Sequence, residues 1–164
     1  MSKIEWFNYT KLFKDTLNLI LKKPVEVIWS EDDDFTYICL YANAVYRLPK
    51  PLCPFDFKRT KCRETNVVKD IFKQVDDYSG EHTKGTLSQT AIHLDDKKVV
   101  RKIYNKLNED EELACYVNEK YLKYTEGYEV SYKISNPKYP VGICEAGGLI
   151  IACILPINMK NTNV

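Results

Sequence analysis

The sequence predicts an α+β domain. Its last third, residues 128–159, reads as three strands in quick succession, each bounded by turn residues. Two stretches upstream, 8–23 and 95–108, carry apolar residues at helical spacing beneath a lysine-rich side. Twelve tyrosines are more than ordinary use and favour strand-rich structure. At 164 residues, with 45% hydrophobic and 29% charged residues, a single domain spanning 1–164 is expected.

In chain order, 4–7 is a short strand. Asn8 or Thr10 caps a helix running to about Lys22. Phe13, Leu17 and Ile20 form its apolar stripe, with Lys11, Lys14 and Lys22 on the opposite side. Pro24 ends it. A strand at 25–30, an acidic turn at 31–34 and a strand at 35–41 follow. Residues 42–48 continue the sheet until Pro49 and Pro51 break it. The stretch 50–85 differs in character. Pro51, Pro54 and the charged run 58–64 make an irregular connection, and 66–78 is a short amphipathic helix presenting Val68, Ile71, Phe72 and Val75. This stretch reads as an insertion.

Residues 86–93 alternate weakly as a strand. Asp95 or Asp96 then opens a helix to about Asn108, acidic in its first turn as the helix dipole favours. Val100, Ile103, Tyr104 and Leu107 form its stripe, with Lys98, Arg101 and Lys102 about opposite. Residues 109–112 are a solvated acidic loop, 113–117 a strand, and 118–127 a short helix or extended chain. The closing strands are 128–134, 139–145 and 149–155. The last is nearly all apolar, hence buried on both faces. Ser135-Asn136-Pro137 and Ala146-Gly147-Gly148 supply the turns, and Pro156 stops the ladder.

One pattern therefore occurs twice. A short strand leads into a helix with one basic side, and strands follow, in halves of about 4–48 and 86–157. Two such halves could share a sheet with both helices on the same face. The net charge is only +1, so any electrostatic argument depends on position. The 8–23 segment has four lysines against one aspartate, and 95–108 has five basic residues against two. Side by side, Lys11, Lys14, Lys22, Lys98, Arg101 and Lys102 would form one field able to follow a phosphate backbone without reading bases. Lysine on a solvated helix face serves solubility just as well.

The six cysteines form no CxxC pair, and Cys53, Cys62 and His82 match no metal-ligand spacing, so no metal or other cofactor is expected. The N-terminus lacks the apolar core of a signal peptide and no run of eighteen apolar residues occurs. A cytoplasmic chain with reduced thiols and no membrane partner is the expectation. No phosphate-cradling glycine loop, GxSxG or HExxH is present, and the carboxylate runs fall in turns. No enzymatic activity is expected.

The stretch 117–159 resembles the bacterial DNA sliding clamp, the β subunit of the replicative polymerase. VNEKYL is similar to that family's Asn-x-Lys-Tyr-Leu segment, SNPKYPVGI to its turn and following strand, and GGLIIACILPINM to its terminal strand. The resemblance implies a clamp-like domain whose helices face double-stranded DNA through non-specific phosphate contact. It implies a processivity or tethering factor in DNA replication. Carried over by position, Leu155, Pro156, Ile157 and Met159 would line the family's groove for partner peptides. The alternative implied role is a protein-binding module that mimics or engages the host clamp or captures other replication proteins. The chain departs from the family in having room for one domain rather than three, so a ring would require a homo-oligomer. Asn158 replaces the terminal arginine, and 160–164 extend past the usual end. Such a solitary domain looks like a phage or mobile-element protein.

Overall fold

Asn8 opens the first helix by accepting the Lys11 N–H on its side-chain oxygen, 3.1 Å away. The helix, α1 (Tyr9–Lys22), ends where Lys23 donates its N–H to Leu19 and Pro24 forbids a further turn. Its buried residues are Leu12, Thr16 and Leu19. The stripe is thus set one residue from the expected one. Leu17 is 45% exposed, while Phe13 and Ile20 flank the seam half-buried. The structure is a computed structural model that describes residues 5–94 and 98–159.

Strands β1 (Val27–Glu31), β2 (Phe35–Leu40) and β3 (Ala44–Pro49) form an antiparallel meander. The acidic turn before β2 is a built cap rather than a solvated run. Asp32 accepts the N–H groups of Asp34 and Phe35 and the Tyr37 hydroxyl, at 2.8–2.9 Å. Between β2 and β3 the chain does not run on as one strand. It reverses at Tyr41-Ala42, closed by an Asn43 N–H to Leu40 bond. A two-residue strand, β4 (Arg63–Glu64), lies parallel to β1 and precedes helix α2 (Val67–Asp76).

The second half is strands. β5 (Lys84–His93), β6 (Val99–Lys106), β7 (Glu112–Asn118), β8 (Val130–Lys133), β9 (Val141–Glu145) and β10 (Ile150–Ile154) complete one ten-stranded sheet of order β4-β1-β2-β3-β10-β9-β8-β5-β6-β7. All pairs except β4–β1 are antiparallel. The expected strand at 4–7 is absent among the described residues. Trp6 and Phe7 form a bend, and Phe7 is buried edge-on against Tyr46. β10 is buried along its whole length at the centre of the sheet, as its apolar run implies.

The expected second basic helix is a strand instead. β6 pairs with β5 on one side and, without a break from Val100 to Lys106, with β7 on the other. The expected start at Asp95 or Asp96 lies outside the described residues. Val99, Val100, Ile103 and Tyr104 are strand-forming residues, and pairing on both edges outweighs the helical spacing. The acidic stretch after β6 is a hairpin loop. Asn108 Oδ1 accepts from the Asp110 and Glu111 N–H groups, and Leu107 donates to Glu111.

Among the described residues the two α-helices lie on opposite faces. α1 packs with the cluster of Val27, Trp29, Ile38, Leu40, Tyr46 and Ile151. Val68, Phe72 and Val75 of α2 pack with Ile28, Tyr37, Cys39, Val45 and Cys153, the alternate positions of the same strands. The expected arrangement of two basic helices side by side is therefore overturned, and with it the paired-helix channel that a clamp would need. Residues 50–85, expected as an insertion, supply an edge strand and the α2 layer. α2 approaches β9 at Gly142, where a Cβ would come within 2.6 Å of Val75 Cγ1.

Strands β5–β7 curl over the α1 face, placing Ile103, Cys115 and Val117 in the same cluster as α1. The segment after β10 closes the curl, with the Ile157 N–H donating to Tyr116 of β7 (2.6 Å). Among the described residues no helix is long and apolar enough to cross a membrane.

Candidate nucleic-acid interface

The segment 118–125, which connects β7 to the loop before β8, is two successive 3-10 turns held from several sides. Asn118 caps the first by accepting the Lys120 N–H. The buried Tyr46 hydroxyl donates to the Tyr121 carbonyl, 2.7 Å away. Asn43 donates its side-chain amide to the Tyr121 hydroxyl, and the Asn8 N–H donates to the Tyr124 carbonyl. Lys123 Nζ and the Tyr124 hydroxyl both sit 2.7 Å from Asp15 Oδ2 on α1. The turn is therefore clamped against α1, from its N-cap Asn8 to Asp15, and against the β2–β3 hairpin.

A cavity of about 380 Å³ opens along this junction. Lys22 and Lys23 line it from the end of α1 and its cap, Lys120 and Lys123 from the turn, and Asp15 is the only carboxylate in its wall among the described residues. Tyr41, Tyr121 and Tyr124 supply the aromatic surface. Burial raises the Asp15 carboxyl, but the Lys123 and Tyr124 hydrogen bonds outweigh it and hold the group below the usual carboxylate range. Asp15 stays ionised and neutralises one lysine, which leaves three. Two of these follow the C-terminus of α1, where cations also offset the helix dipole. Lys120 has no such role. Its ammonium lies 4.5 Å from the centroid of the Tyr41 ring and 5.1 Å from that of Tyr121.

Tyr41 is held in an unusual conformation. It and Ala42 have φ of 56° and 57°, the left-handed region that glycine or asparagine normally fills in a tight hairpin turn. Each costs on the order of 1 kcal/mol there. The outcome is a tyrosine 40% exposed at the rim of the basic cavity.

The six cations expected in one field are divided. Lys11, Lys14 and Lys22 are exposed on α1, and Lys22 lines the cavity. The other three belong to the β5–β6 hairpin. Arg101 donates through Nε and a terminal nitrogen to the Ser88 carbonyl and faces Glu119 at 3.7 Å. Lys102 is 2.7 Å from Glu112, which raises its pKa. Lys98 precedes β6 and its carbonyl accepts the Leu94 N–H. They do not join the α1 row.

The residues expected to form a peptide groove are partly brought together. Pro156, Ile157 and Met159 line a groove of about 610 Å³ against Ala114 and Tyr116 of β7 and the 136–138 turn. Leu155 is not in that wall, and its N–H is bonded to Asn43. The described residues hold no group of three or more His, Cys, Asp or Glu that could hold a metal ion. All six cysteines are free. Burial pushes the Cys39 and Cys115 thiols up to about 11 and raises Cys53, Cys144 and Cys153 as well, which makes these thiols poor nucleophiles. No protein-family model, characterised protein or solved structure matches the chain.

Proposed function

We propose that this protein is a non-catalytic tethering module that holds a nucleic-acid phosphate backbone. The observation that carries the reading is the concentration of Lys22, Lys23, Lys120 and Lys123 around one cavity with a single carboxylate, continued along α1 by Lys11 and Lys14. The chain as a whole is nearly neutral, so this charge is a local accumulation. The reading keeps the non-specific phosphate contact expected of a replication tether and dispenses with the channel of paired helices. It is tested by fluorescence anisotropy with labelled oligonucleotides over a salt series. Affinity should fall steeply from 50 to 200 mM salt, with a log–log slope of about −3 to −4 for some four contacts. Lys22→Glu with Lys120→Glu should weaken binding roughly tenfold or more. Affinity indifferent to salt would end the reading.

A second reading is protein capture at the β7 edge, favoured by the placement of Pro156, Ile157 and Met159 beside an edge strand. A peptide from a replication protein would lay apolar side chains in this groove. Ile157→Asp should abolish such capture and leave salt-dependent oligonucleotide binding intact. Capture unchanged by that substitution would refute the groove.

A further inference from the structure

The basic cavity has a neighbour. A second cleft of about 500 Å³ lies on the other side of the 118–125 segment, and Lys120 and Lys123 line both spaces. Leu87 from β5, Val99 from β6, Leu122 from the turn, and Val130 and Tyr132 from β8 give it an apolar part, and Arg101, Glu119 and Glu126 line it as well. The curl of β5 and β6 over the sheet creates this cleft. Gly85 permits the curl, because a Cβ there would lie 2.6 Å from Ile103 Cγ2. A lysine-rich space thus adjoins a cleft with an apolar part across a single turn, with Tyr41 presented at the rim of the first in a strained backbone conformation.

We propose that the nucleic acid held here is single-stranded, with a phosphate on Lys120, a base against Tyr41, and a neighbouring base in the Leu87–Tyr132 cleft. This rests on the phosphate-backbone reading above and adds the strand state of the ligand. A duplex keeps its bases stacked within the helix and offers these spaces only phosphates. The apolar part of the second cleft, Leu87, Val99, Leu122, Val130 and Tyr132, would then have no occupant. A single strand offers an anion and an unstacked π-face within one nucleotide, and each has its place here. Stacking on an exposed aromatic ring beside cations is how single strands are held without sequence preference. The strain at Tyr41 points the same way. A glycine would satisfy the turn, yet a large ring is held at the rim.

The test compares three labelled probes at matched salt: an oligothymidylate strand, a duplex of equal length, and an abasic strand carrying phosphates without bases. The single strand should bind at least tenfold more tightly than either of the others. Tyr41→Gly, which the backbone accommodates, should remove most of that preference while the melting temperature holds. Tyr41→Phe should restore it, since no hydrogen bond from the Tyr41 hydroxyl is involved. Equal affinity for all three probes would overturn the single-strand inference and leave the phosphate reading standing. Absence of binding to any probe would overturn both. A preference for the single strand that survives in Tyr41→Gly would overturn the stacking role of Tyr41.

Discussion

The Lys123 ammonium and the Asp15 carboxylate, 2.7 Å apart, join two segments more than a hundred positions distant in the chain. The Tyr124 hydroxyl completes the contact from the adjacent position. This pair fixes the turn against α1 and also sets the charge of the basic cavity. Asp15→Asn should therefore act in two directions. Stability should fall by about 1 kcal/mol at neutral pH, because a part-buried charged pair loses one partner. Oligonucleotide affinity should rise about threefold at low salt, because the one opposing charge is gone.

The pH dependence of that difference has a definite sign. The folded carboxyl titrates below its ordinary value, so its contribution is complete above the unfolded carboxylate pKa of about 3.9 and is lost as pH falls through the folded value. Urea unfolding of the wild type and Asp15→Asn should differ at pH 7 and converge in strong acid. Curves that coincide at pH 7 would show the pair to be energetically silent.

Gly85 and Gly142 each stand where another layer comes within contact. A Cβ at Gly85 would meet Ile103 at 2.6 Å and Ile134 at 3.3 Å, both fully buried, so neither side chain can swing away. Gly85→Ala should destabilise by about 1–3 kcal/mol through overpacking of the β5–β6 curl. Gly142→Ala should do the same beneath α2. Chemical denaturation measures both, and a loss under 0.5 kcal/mol, the scale of ordinary surface substitutions, would mean the layers yield more readily than close packing implies.

The first helix, its cap at Asn8 and the buried terminal strand were legible because each is encoded locally. The stretch 95–108 was not. Val100, Ile103, Tyr104 and Leu107 satisfy a helical period, yet Leu107 is 47% exposed in a hairpin loop and the other three belong to a strand fixed by β5 and β7. Pairing with residues 8 to 18 positions away on either side does not register in the helical spacing of one stretch. The reversal at Tyr41-Ala42 was hidden for another reason, since it uses neither glycine nor asparagine. Of the cavity's four lysines only Lys22 was singled out. Lys23 continues the same helix end, while Lys120 and Lys123 arrive from a turn some hundred positions later.

That reversal carries its own test. Ala42 shares the left-handed conformation of Tyr41 but does not line the cavity. Ala42→Gly should raise stability by about 0.5–1 kcal/mol, since it removes a steric penalty without removing a contact of the site. Oligonucleotide affinity should be unchanged. A stabilisation of that size, read as a higher denaturation midpoint, would show that the hairpin is under strain in solution. A destabilised Ala42→Gly would show that the methyl group packs more than it strains.

The separation of the basic residues into two places gives the most direct test of the interface. Lys14 is exposed on α1, on the helix that borders the cavity, and among the described residues no salt bridge engages it. Lys102 is engaged by Glu112 on β7, and the same pair tethers two strands. Removing Lys14 should lower the salt slope of oligonucleotide binding by about 1 and leave stability within about 0.5 kcal/mol. Removing Lys102 should leave the slope unchanged and cost up to about 1 kcal/mol of stability, since an ion pair 28% and 38% exposed contributes little more. Anisotropy over a salt series on Lys14→Ala and Lys102→Ala separates these outcomes. Equal losses of slope in both would mean that the nucleic acid spans the β6–β7 hairpin as well as α1, and that the interface is wider than the cavity.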